Sequence, residues 1–209
     1  MNNKAQDNAV PLRTRLKQLR AQQDPAQRDR GALLIRGRLY TWLASERTRL
    51  RAAGRKTPYQ IAAFWSLPEE PGLQALLRQW VEDEALGVSL PVVTGPNEPL
   101  GFRQWTPNTP MHEGAYGVQE PESAPAPPPD IVLVPTLGYT RQGDRLGYGG
   151  GYYDRTLAAW QAAGHPFTSL GIAWACGDLS DESYTPAAHD VRLDSILTDK
   201  GWAVPAPVL

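Results

Sequence analysis

A glycine-rich loop between an apolar strand and a helix is the feature that most constrains how this chain folds. The run "DIVLVP", residues 130–135, is largely apolar, as expected for a strand that is buried on both faces. The window "RLGYGGGYYDR", residues 145–155, follows it, and "YYDRTLAAWQAAG", residues 152–164, predicts a helix that ends in glycine. Strands that alternate with helices indicate a layered α/β domain with a largely parallel sheet.

The same alternation extends over most of the chain. A basic helix is predicted over residues 11–23. A long helix is predicted to begin at Pro25, after the N-cap residue Asp24, and to end near Ala53. An amphipathic helix is predicted over residues 71–87. The remaining predicted strands are residues 59–67, 88–93, 100–105, 169–176 and 191–198.

The chain is predicted to form one domain. Its 209 residues suit a single core, and the segments on both sides of "PESAPAPPP", residues 121–129, complete one alternating pattern. The five prolines of that segment favour a stiff, extended and solvated connection rather than a domain boundary. We expect a disordered N-terminus over residues 1–10 and a single domain over residues 11–209.

Composition argues against several classes of protein. The formal net charge of -1 disfavours broad nucleic-acid binding, which needs a surface that neutralises phosphates. The arginine-rich residues 11–55 keep nucleic-acid association as a minor alternative, although such a run is usually a solvated helix face. Charges or prolines interrupt every apolar segment, and the N-terminus lacks the apolar core of a secretory signal. We expect a cytoplasmic monomer that binds neither membranes nor nucleic acid.

Cysteine and histidine chemistry is restricted as well. The single cysteine, Cys176, rules out an intrachain disulfide and a cysteine-based zinc site. His112, His165 and His189 lack the spacing of metal ligands. Because lysine is scarce, basic contacts are expected to come mainly from arginine, whose planar fork suits phosphate.

The glycine window has the composition of a phosphate-binding turn. Glycines between a strand and a helix let several backbone N–H groups point at one anion, and the helix N-terminus adds positive potential. Arg141 and Arg145 lie on this loop and are candidates for a guanidinium fork. The window is not a Walker A motif, and Tyr152 takes the place of the third glycine of a dinucleotide fingerprint. A turn whose tyrosines only pack the helix onto the sheet remains the alternative.

The residues that follow the glycines have two interpretations each. Tyr152 and Tyr153 are adjacent at the predicted helix start, so one side chain is expected to pack inward while the other lines a pocket. Asp154 lies in the first turn, where the helix dipole stabilises a carboxylate in any protein. It is also placed to help hold Mg²⁺ against nucleotide phosphates.

The chain resembles the 5-formyltetrahydrofolate cyclo-ligase family, also called methenyltetrahydrofolate synthetases. The segment "DIVLVPTLGYTRQGDRLGYGGGYYDRTL", residues 130–157, resembles the long signature of that family. Weaker similarities follow in the family's order and cover nearly the whole chain. They are "FWSLPEEPGLQALL" (64–77), "LPVV" (90–93), "PLGFRQW" (99–105), "YGVQEP" (116–121) and "HDVRLDSILTDKG" (189–201).

The resemblance implies a fold and a reaction. The fold is a three-layer α/β/α architecture with a largely parallel sheet, similar to sugar-phosphate isomerase and CoA-transferase domains. The reaction is the conversion of 5-formyltetrahydrofolate to 5,10-methenyltetrahydrofolate, which depends on ATP and Mg²⁺ and releases ADP and phosphate. ATP phosphorylates the formyl oxygen, N10 attacks the activated carbon, and phosphate departs. Such catalysis needs positioning and charge neutralisation more than a strong base.

The resemblance also assigns residues to the nucleotide and its metal ion. Arg145 and Tyr152 are expected to be catalytic, and Asp154 and Asp190 are the expected metal ligands. The expected ATP-binding residues are Arg13, Arg145, Gly147, Gly149, Gly150, Gly151, Tyr152 and Asp154.

The folate is expected to contact an acid and several aromatic rings. Glu70 resembles the acidic residue that hydrogen-bonds the pterin, since a buried carboxylate that accepts two N–H groups suits that ring. An exposed acid at a helix start is the alternative for Glu70. Trp65, Trp105, Tyr152 and Tyr153 are candidates for contact with the folate, although a tryptophan is often simply part of the core.

Two departures from the family pattern bear on ATP binding. The family often begins with Lys-x-x-Leu-Arg; here Arg13 fits the arginine, but Ala9 stands in place of the lysine. Some relatives carry basic residues within the glycine window, where this chain has Tyr148 and Gly150. The missing lysine motivates an alternative function, a relative that binds folate or nucleotide without turning it over.

Overall fold

The computed structural model describes residues 3–209, with side chains described from Ala9 onward. Two short 3-10 turns lie at Ala115–Gly117 and Ala175–Gly177. The α-helices are α1 (Asn3–Ala21), α2 (Pro25–Ala52), α3 (Gln74–Glu82) and α4 (Tyr152–Ala162). The strands are β1 (Gln60–Ala62), β2 (Gly87–Val92), β3 (Gly101–Trp105), β4 (Met111–Glu113), β5 (Gln119–Pro121), β6 (Ile131–Pro135), β7 (Gly138–Tyr139), β8 (Arg145–Leu146), β9 (Thr168–Ala173), β10 (Ser195–Thr198) and β11 (Gly201–Val204).

A seven-stranded sheet in the order β11-β10-β9-β6-β1-β2-β3 forms the centre of the domain. Its five inner strands run parallel to one another, and only the edge strands β3 and β11 pair antiparallel. The small pairs β4-β5 and β7-β8 lie outside this sheet. The predicted three-layer α/β/α fold with a largely parallel sheet is confirmed.

The central strand β6 shows why its sequence is a continuous apolar run. Ile131 and Leu133 belong to the core cluster that includes residues of α2 and α3, whereas Val132 and Val134 belong to the cluster that includes Leu157 of α4. Successive side chains of a strand point to opposite faces, so a strand between two helical layers has no face left for polar residues.

The expected disorder of residues 1–10 stays a prediction, although helix α1 extends into this segment. Helix α1 already begins at Asn3, and Met1 and Asn2 lie outside the described residues. Ala9 and Leu16 are buried in a third apolar cluster, against residues of the loops around β7 and β8. These contacts pack α1 against the rest of the domain from Ala9 onward.

Other helix boundaries agree with local signals. The side chain of Asp24 accepts a hydrogen bond from the backbone N–H of Gln27 at 3.0 Å, and Pro25 occupies the first turn of α2, as predicted. Strand β1 is shorter than the predicted 59–67, because the chain leaves the sheet after Ala62. The antiparallel edge strand β11 follows the strand that was expected to be the last one.

The proline-rich segment stays within the domain. The backbone N–H of Gln104 donates to the carbonyl of Ala124 at 3.0 Å, and that of Ala126 donates to Phe102 at 2.9 Å. The segment therefore lies along β3 and covers what would otherwise be an open sheet edge. Among the described residues, no helix is both long enough and apolar enough to cross a bilayer.

Candidate functional site

A cavity of about 690 Å³ lies at the carboxyl ends of the parallel strands. Its wall includes Phe64 just after β1, Pro135 at the end of β6, and residues of α1 and of the loop that precedes α4. This is the edge at which open α/β sheets bind ligands. The predicted site residues that line it are Arg13, Trp65, Glu70, Arg145, Gly147, Gly149, Gly150, Gly151, Tyr152, Tyr153, Asp154 and Asp190.

Two residues singled out from the sequence are placed elsewhere. Trp105 is 6% exposed and packs edge-on against Trp65, with ring centroids 6.3 Å apart, so it supports the cavity wall from the core. Arg141 points away and pairs with Asp178 at 3.3 Å. The guanidinium groups that line the cavity are those of Arg13 and Arg145.

The glycine loop has the backbone conformation that its composition predicts. Gly149 and Gly151 have φ angles of +105° and +64°, in the left-handed region that a side chain disfavours. Arg13 donates from Nε to the carbonyl oxygen of Gly147 at 2.9 Å, which ties the loop to α1. Helix α4 begins at Tyr152, so its first backbone N–H groups have no partner within the helix and face the end of the glycine loop.

A buried ion pair connects the loop to α4. Arg145 Nη2 lies 2.8 Å from Asp154 Oδ2, and the two side chains are only 5% and 11% exposed. The other oxygen of Asp154 accepts a hydrogen bond from the backbone N–H of Val191 at 3.3 Å. Arg145 Nε is buried and has no protein partner among the described residues. Arg145 lines the cavity, and its guanidinium is held by Asp154 through Nη2 and lies 3.5 Å from the Pro135 carbonyl oxygen through Nη1, so it gives this wall a fixed positive charge.

The donor set suits a divalent cation only when a ligand supplies further oxygens. Asp154 and Asp190 line the same cavity, and Asp190 Oδ2 accepts from the backbone N–H of Ala187 at 2.8 Å. The described part of the chain has no group of three or more His, Cys, Asp or Glu residues placed to hold a metal ion. Mg²⁺ is commonly held by one or two carboxylates together with substrate phosphates, and these two aspartates match that pattern.

Glu70 is a buried carboxylate and not an exposed acid at a helix start. It is 8% exposed and lies in the loop between β1 and α3. Its Oε1 accepts from the Tyr148 hydroxyl at 2.6 Å, and its Oε2 accepts from the backbone N–H of Leu67 at 2.9 Å. Burial raises the pKa of the Glu70 carboxyl, and the two donated hydrogen bonds oppose that rise.

The two adjacent tyrosines point in different directions, as predicted. The hydroxyl of Tyr152 lies 3.1 Å from that of Tyr116, and the Arg155 guanidinium lies 4.9 Å from the centroid of the Tyr152 ring. The Tyr153 hydroxyl is buried without a protein partner among the described residues, and burial raises its pKa. Tyr153 lines the cavity, but its hydroxyl lies beneath the surface, so any contact with a ligand is made by other atoms of this residue.

Comparison with known proteins assigns the family. The sequence pattern of the 5-formyltetrahydrofolate cyclo-ligase family matches residues 5–199. The chain belongs to that family. It is 34% identical over 203 residues to the 5-formyltetrahydrofolate cyclo-ligase of Mycolicibacterium smegmatis, covering 90% of this chain and 92% of that protein. The cyclo-ligase of Haemophilus influenzae is 34% identical over 145 residues, which are 66% of this chain and 74% of that protein.

Solved structures support the cyclo-ligase fold independently. The 5,10-methenyltetrahydrofolate synthetase of Aquifex aeolicus superposes with a TM-score of 0.72 at 22% identity, covering 96% of this chain and 95% of that one. The synthetase of Mycoplasma pneumoniae gives a TM-score of 0.68 at 20% identity, covering 91% and 98%. The resemblance inferred from the sequence is therefore confirmed for family and fold, while the roles of individual residues remain predictions.

Three basic residues of α1, Arg13, Lys17 and Arg20, lie on one face of the helix, and only Arg13 was predicted from the sequence to belong to the site. Ala9, Arg13 and Lys17 all line the cavity, and Arg20 lies behind it with 2% exposure. Arg20 Nη1 donates to the Tyr148 hydroxyl at 2.7 Å. Residues spaced by four, four and three share one face of a helix, so the spacing contained the signal. Tyr148 itself was noted only as a departure from the family pattern.

Proposed function

We propose that this cyclo-ligase family member converts 5-formyltetrahydrofolate to 5,10-methenyltetrahydrofolate with consumption of ATP and release of ADP and phosphate. One observation carries the proposal: a single cavity joins a glycine-rich loop at a helix N-terminus to a buried carboxylate and aromatic side chains. The two halves suit the two substrates. Transfer between them requires no movement of a domain.

The glycine loop is the proposed site of the ATP phosphates. Backbone N–H groups at the start of α4 and the guanidinium groups of Arg13 and Arg145, which line the cavity, all favour anionic oxygens. Mg²⁺ would bind between the phosphates and the carboxylates of Asp154 and Asp190, where it would neutralise charge during phosphoryl transfer.

The opposite part of the cavity is the proposed site of the folate. Glu70 uses one lone pair of each oxygen within the protein, so further lone pairs remain for N–H groups of the pterin. Trp65 and Tyr153 supply apolar surface to this part of the cavity. Because Trp105 lies behind Trp65, we propose no direct contact between Trp105 and the folate.

The chemistry needs charge neutralisation and alignment. Phosphoryl transfer to the formyl oxygen turns a poor leaving group into phosphate. N10 then attacks the same carbon and loses its proton, and phosphate departs with the electron pair of the C–O bond. Arg145 remains a cation throughout and stabilises the negative charge on the transferred group. The tyrosines and Trp65 exclude water from the phosphorylated intermediate of the substrate.

The test is the formation of the methenyl product, which has its own ultraviolet absorbance. Purified protein, 5-formyltetrahydrofolate, ATP and Mg²⁺ should yield this absorbance at neutral pH, and omission of ATP or Mg²⁺ should abolish it. Glu84→Gln, far from the cavity, serves as the matched control for Glu70→Gln. A correctly folded protein that gives no product under any of these conditions contradicts the proposal.

A binding protein without turnover is the second candidate, because Ala9 brings no charge to the place of the family lysine. Lys17 lies on the same helix face and lines the same cavity, which favours catalysis. Separate titrations of ATP and of 5-formyltetrahydrofolate, followed by the turnover assay, distinguish the two. Saturable binding of both ligands with no product would support the binding protein. The cytoplasmic location and the monomeric state remain predictions.

A further inference from the structure

Arg20 is a buried cation whose terminal nitrogens have only neutral hydrogen-bond partners. It is 2% exposed. Its Nη1 donates to the Tyr148 hydroxyl at 2.7 Å, its Nη2 donates to the Thr136 carbonyl, and its Nε is buried without a partner among the described residues. A guanidinium in such surroundings is expensive to desolvate unless a negative charge lies close by.

The Tyr148 hydroxyl connects Arg20 to the carboxylate of Glu70. Tyr148 accepts the hydrogen bond from Arg20, so the proton of its own hydroxyl is directed to Glu70 Oε1 at 2.6 Å. The direction of both hydrogen bonds is thereby determined, since arginine is a donor only. The backbone N–H of Leu67 occupies the second oxygen of Glu70, which leaves the carboxylate no freedom to rotate.

This chain of donors favours the ionised form of Glu70. Burial raises the pKa of its carboxyl, while the Tyr148 hydroxyl, the Leu67 N–H and the charge of Arg20 lower it. The other charged or titratable groups that face it are Glu69, which raises that pKa, and Tyr153 on α4. The support for the carboxylate thus comes from α1 and from the glycine loop.

We propose that Arg20 and Tyr148 are positioning residues that hold Glu70 as a fixed, ionised acceptor for the N–H groups of the folate. The proposal rests on the proposed function, and neither residue is required to react. Arg20 acts from behind the cavity wall and through Tyr148, whereas Tyr148 lines the cavity.

The two substrates should respond differently to loss of the Tyr148 hydroxyl. The loop around Tyr148 is held independently, because Arg13 Nε donates to the Gly147 carbonyl at 2.9 Å. Tyr148→Phe keeps the ring and removes both the donor to Glu70 and the acceptor of the hydrogen bond from Arg20 Nη1. We expect the KM for 5-formyltetrahydrofolate to rise about tenfold and the KM for ATP to change less than about twofold.

The pH profile separates positioning from a merely structural role. Without the Tyr148 hydroxyl, the pKa of the Glu70 carboxyl should rise further. As the pH is lowered, the variant should therefore lose folate affinity at a higher pH than the unaltered protein does. Raising the pH should partly restore it. A loss of affinity by the same factor at every pH, or equal effects on both substrates, would overturn the proposal.

Tyr40→Phe is the matched control. The Tyr40 hydroxyl donates to Glu84 Oε1 at 3.0 Å, so this variant removes the same type of contact away from the cavity. It should leave both KM values and the pH profile unchanged. Arg20→Met should raise the KM for 5-formyltetrahydrofolate, and Arg20→Lys should raise it less, because lysine keeps the positive charge although it lacks the guanidinium fork.

A measurement without substrate keeps the inference separate from the proposed reaction. Carbon-13 NMR of the glutamate carboxyls, with the Glu70 signal identified from its absence in Glu70→Gln, should show the Glu70 titration shifted to higher pH in Tyr148→Phe. An unshifted titration overturns the positioning role. A shifted titration in a protein that forms no methenyl product supports the electrostatic arrangement and contradicts the proposed function alone.

Discussion

The same three residue types form two clusters in this protein, and their hydrogen bonds run in a different order. In the cavity cluster, Arg20 donates to Tyr148 and Tyr148 donates to Glu70, so a hydroxyl separates the two charges. In the second cluster, an arginine and a tyrosine both donate directly to the glutamate. The difference is that the cavity cluster leaves its carboxylate unpaired with any guanidinium.

The second cluster, here called the seam cluster, joins α2 to the segment after α3. Arg47 Nη1 lies 3.1 Å from Glu84 Oε2, and the Tyr40 hydroxyl lies 3.0 Å from Glu84 Oε1. The hydrogen bond to Glu84 raises the pKa of Tyr40. The Glu84 side chain is 31% exposed, so its carboxylate is accessible to water. The cluster therefore links two helical segments through a partly solvated ion pair.

The comparison teaches how similar chemistry serves packing in one place and binding in another. The seam cluster is a direct ion pair with a partly solvated carboxylate, although Arg47 Nε is buried without a partner among the described residues. A buried pair of charges held apart by a hydroxyl keeps acceptor capacity directed at the cavity, at a cost in stability. The following predictions test that distinction.

The largest expected effect is on turnover. Glu70→Gln keeps the shape of the side chain but loses the charge, so kcat/KM for 5-formyltetrahydrofolate should fall about a hundredfold. Glu84→Gln should leave kcat/KM within about twofold of the unaltered protein. Steady-state kinetics of both variants check this, and equal losses in the two would remove the functional difference between the clusters.

The next effect concerns stability. Arg20→Met leaves the Thr136 carbonyl without its guanidinium donor in a buried place, and should lower the free energy of unfolding by about 2 kcal/mol. Arg47→Met leaves Glu84 in contact with water and should lower it by less than about 1 kcal/mol. Denaturant unfolding of both variants provides the measurement. A greater loss for Arg47→Met would reverse the assignment of buried and solvated clusters.

A smaller gain in stability is expected from a hydroxyl outside both clusters. Tyr153→Phe removes a buried hydroxyl that has no protein partner, so the free energy of unfolding should rise by about 1 kcal/mol. Folate affinity should change by less than about twofold, because the buried hydroxyl does not reach the cavity surface. A marked loss of folate affinity would show that the ligand contacts this hydroxyl.

The smallest effect is a change in the pH dependence of stability. The folded-state pKa of Glu70 is raised, so the folded protein retains its proton to higher pH than the unfolded chain does. Stability therefore falls as pH rises from the unfolded-state pKa, about 4.3, through the folded one. Glu70→Gln should lack this fall and be more stable than the unaltered protein at neutral pH. Thermal unfolding across that pH range should show two curves that converge in acid; parallel curves would contradict the raised pKa.

Arg145→Ala is expected to reduce turnover, because it removes a positive charge from the proposed phosphate site. The 2.8 Å pair with buried Asp154 means that this variant also leaves a carboxylate unpaired in the interior. Such losses commonly destabilise a protein, so Arg145→Lys is the better probe of the phosphate site.

The sequence by itself determined the features that depend on neighbouring residues. The apolar run of residues 130–135 predicted a strand that is buried on both faces, and Asp24 with Pro25 predicted the start of α2. The run of glycines predicted a loop with backbone angles that a side chain disfavours, and Gly149 and Gly151 have positive φ. The long signature over residues 130–157 also identified the family, because a motif of that length is specific.

The contacts between side chains that are distant in sequence depend on tertiary packing. Tyr148 is 78 residues from Glu70 and 128 residues from Arg20 along the chain, and no local pattern specifies such a contact. Likewise, Trp65 faces the cavity and Trp105 lies behind it because of how β3 packs, not because of either residue's immediate neighbours. Local sequence specifies backbone conformation over a few residues, whereas the partners and burial of a side chain depend on the packing of elements that are distant in sequence.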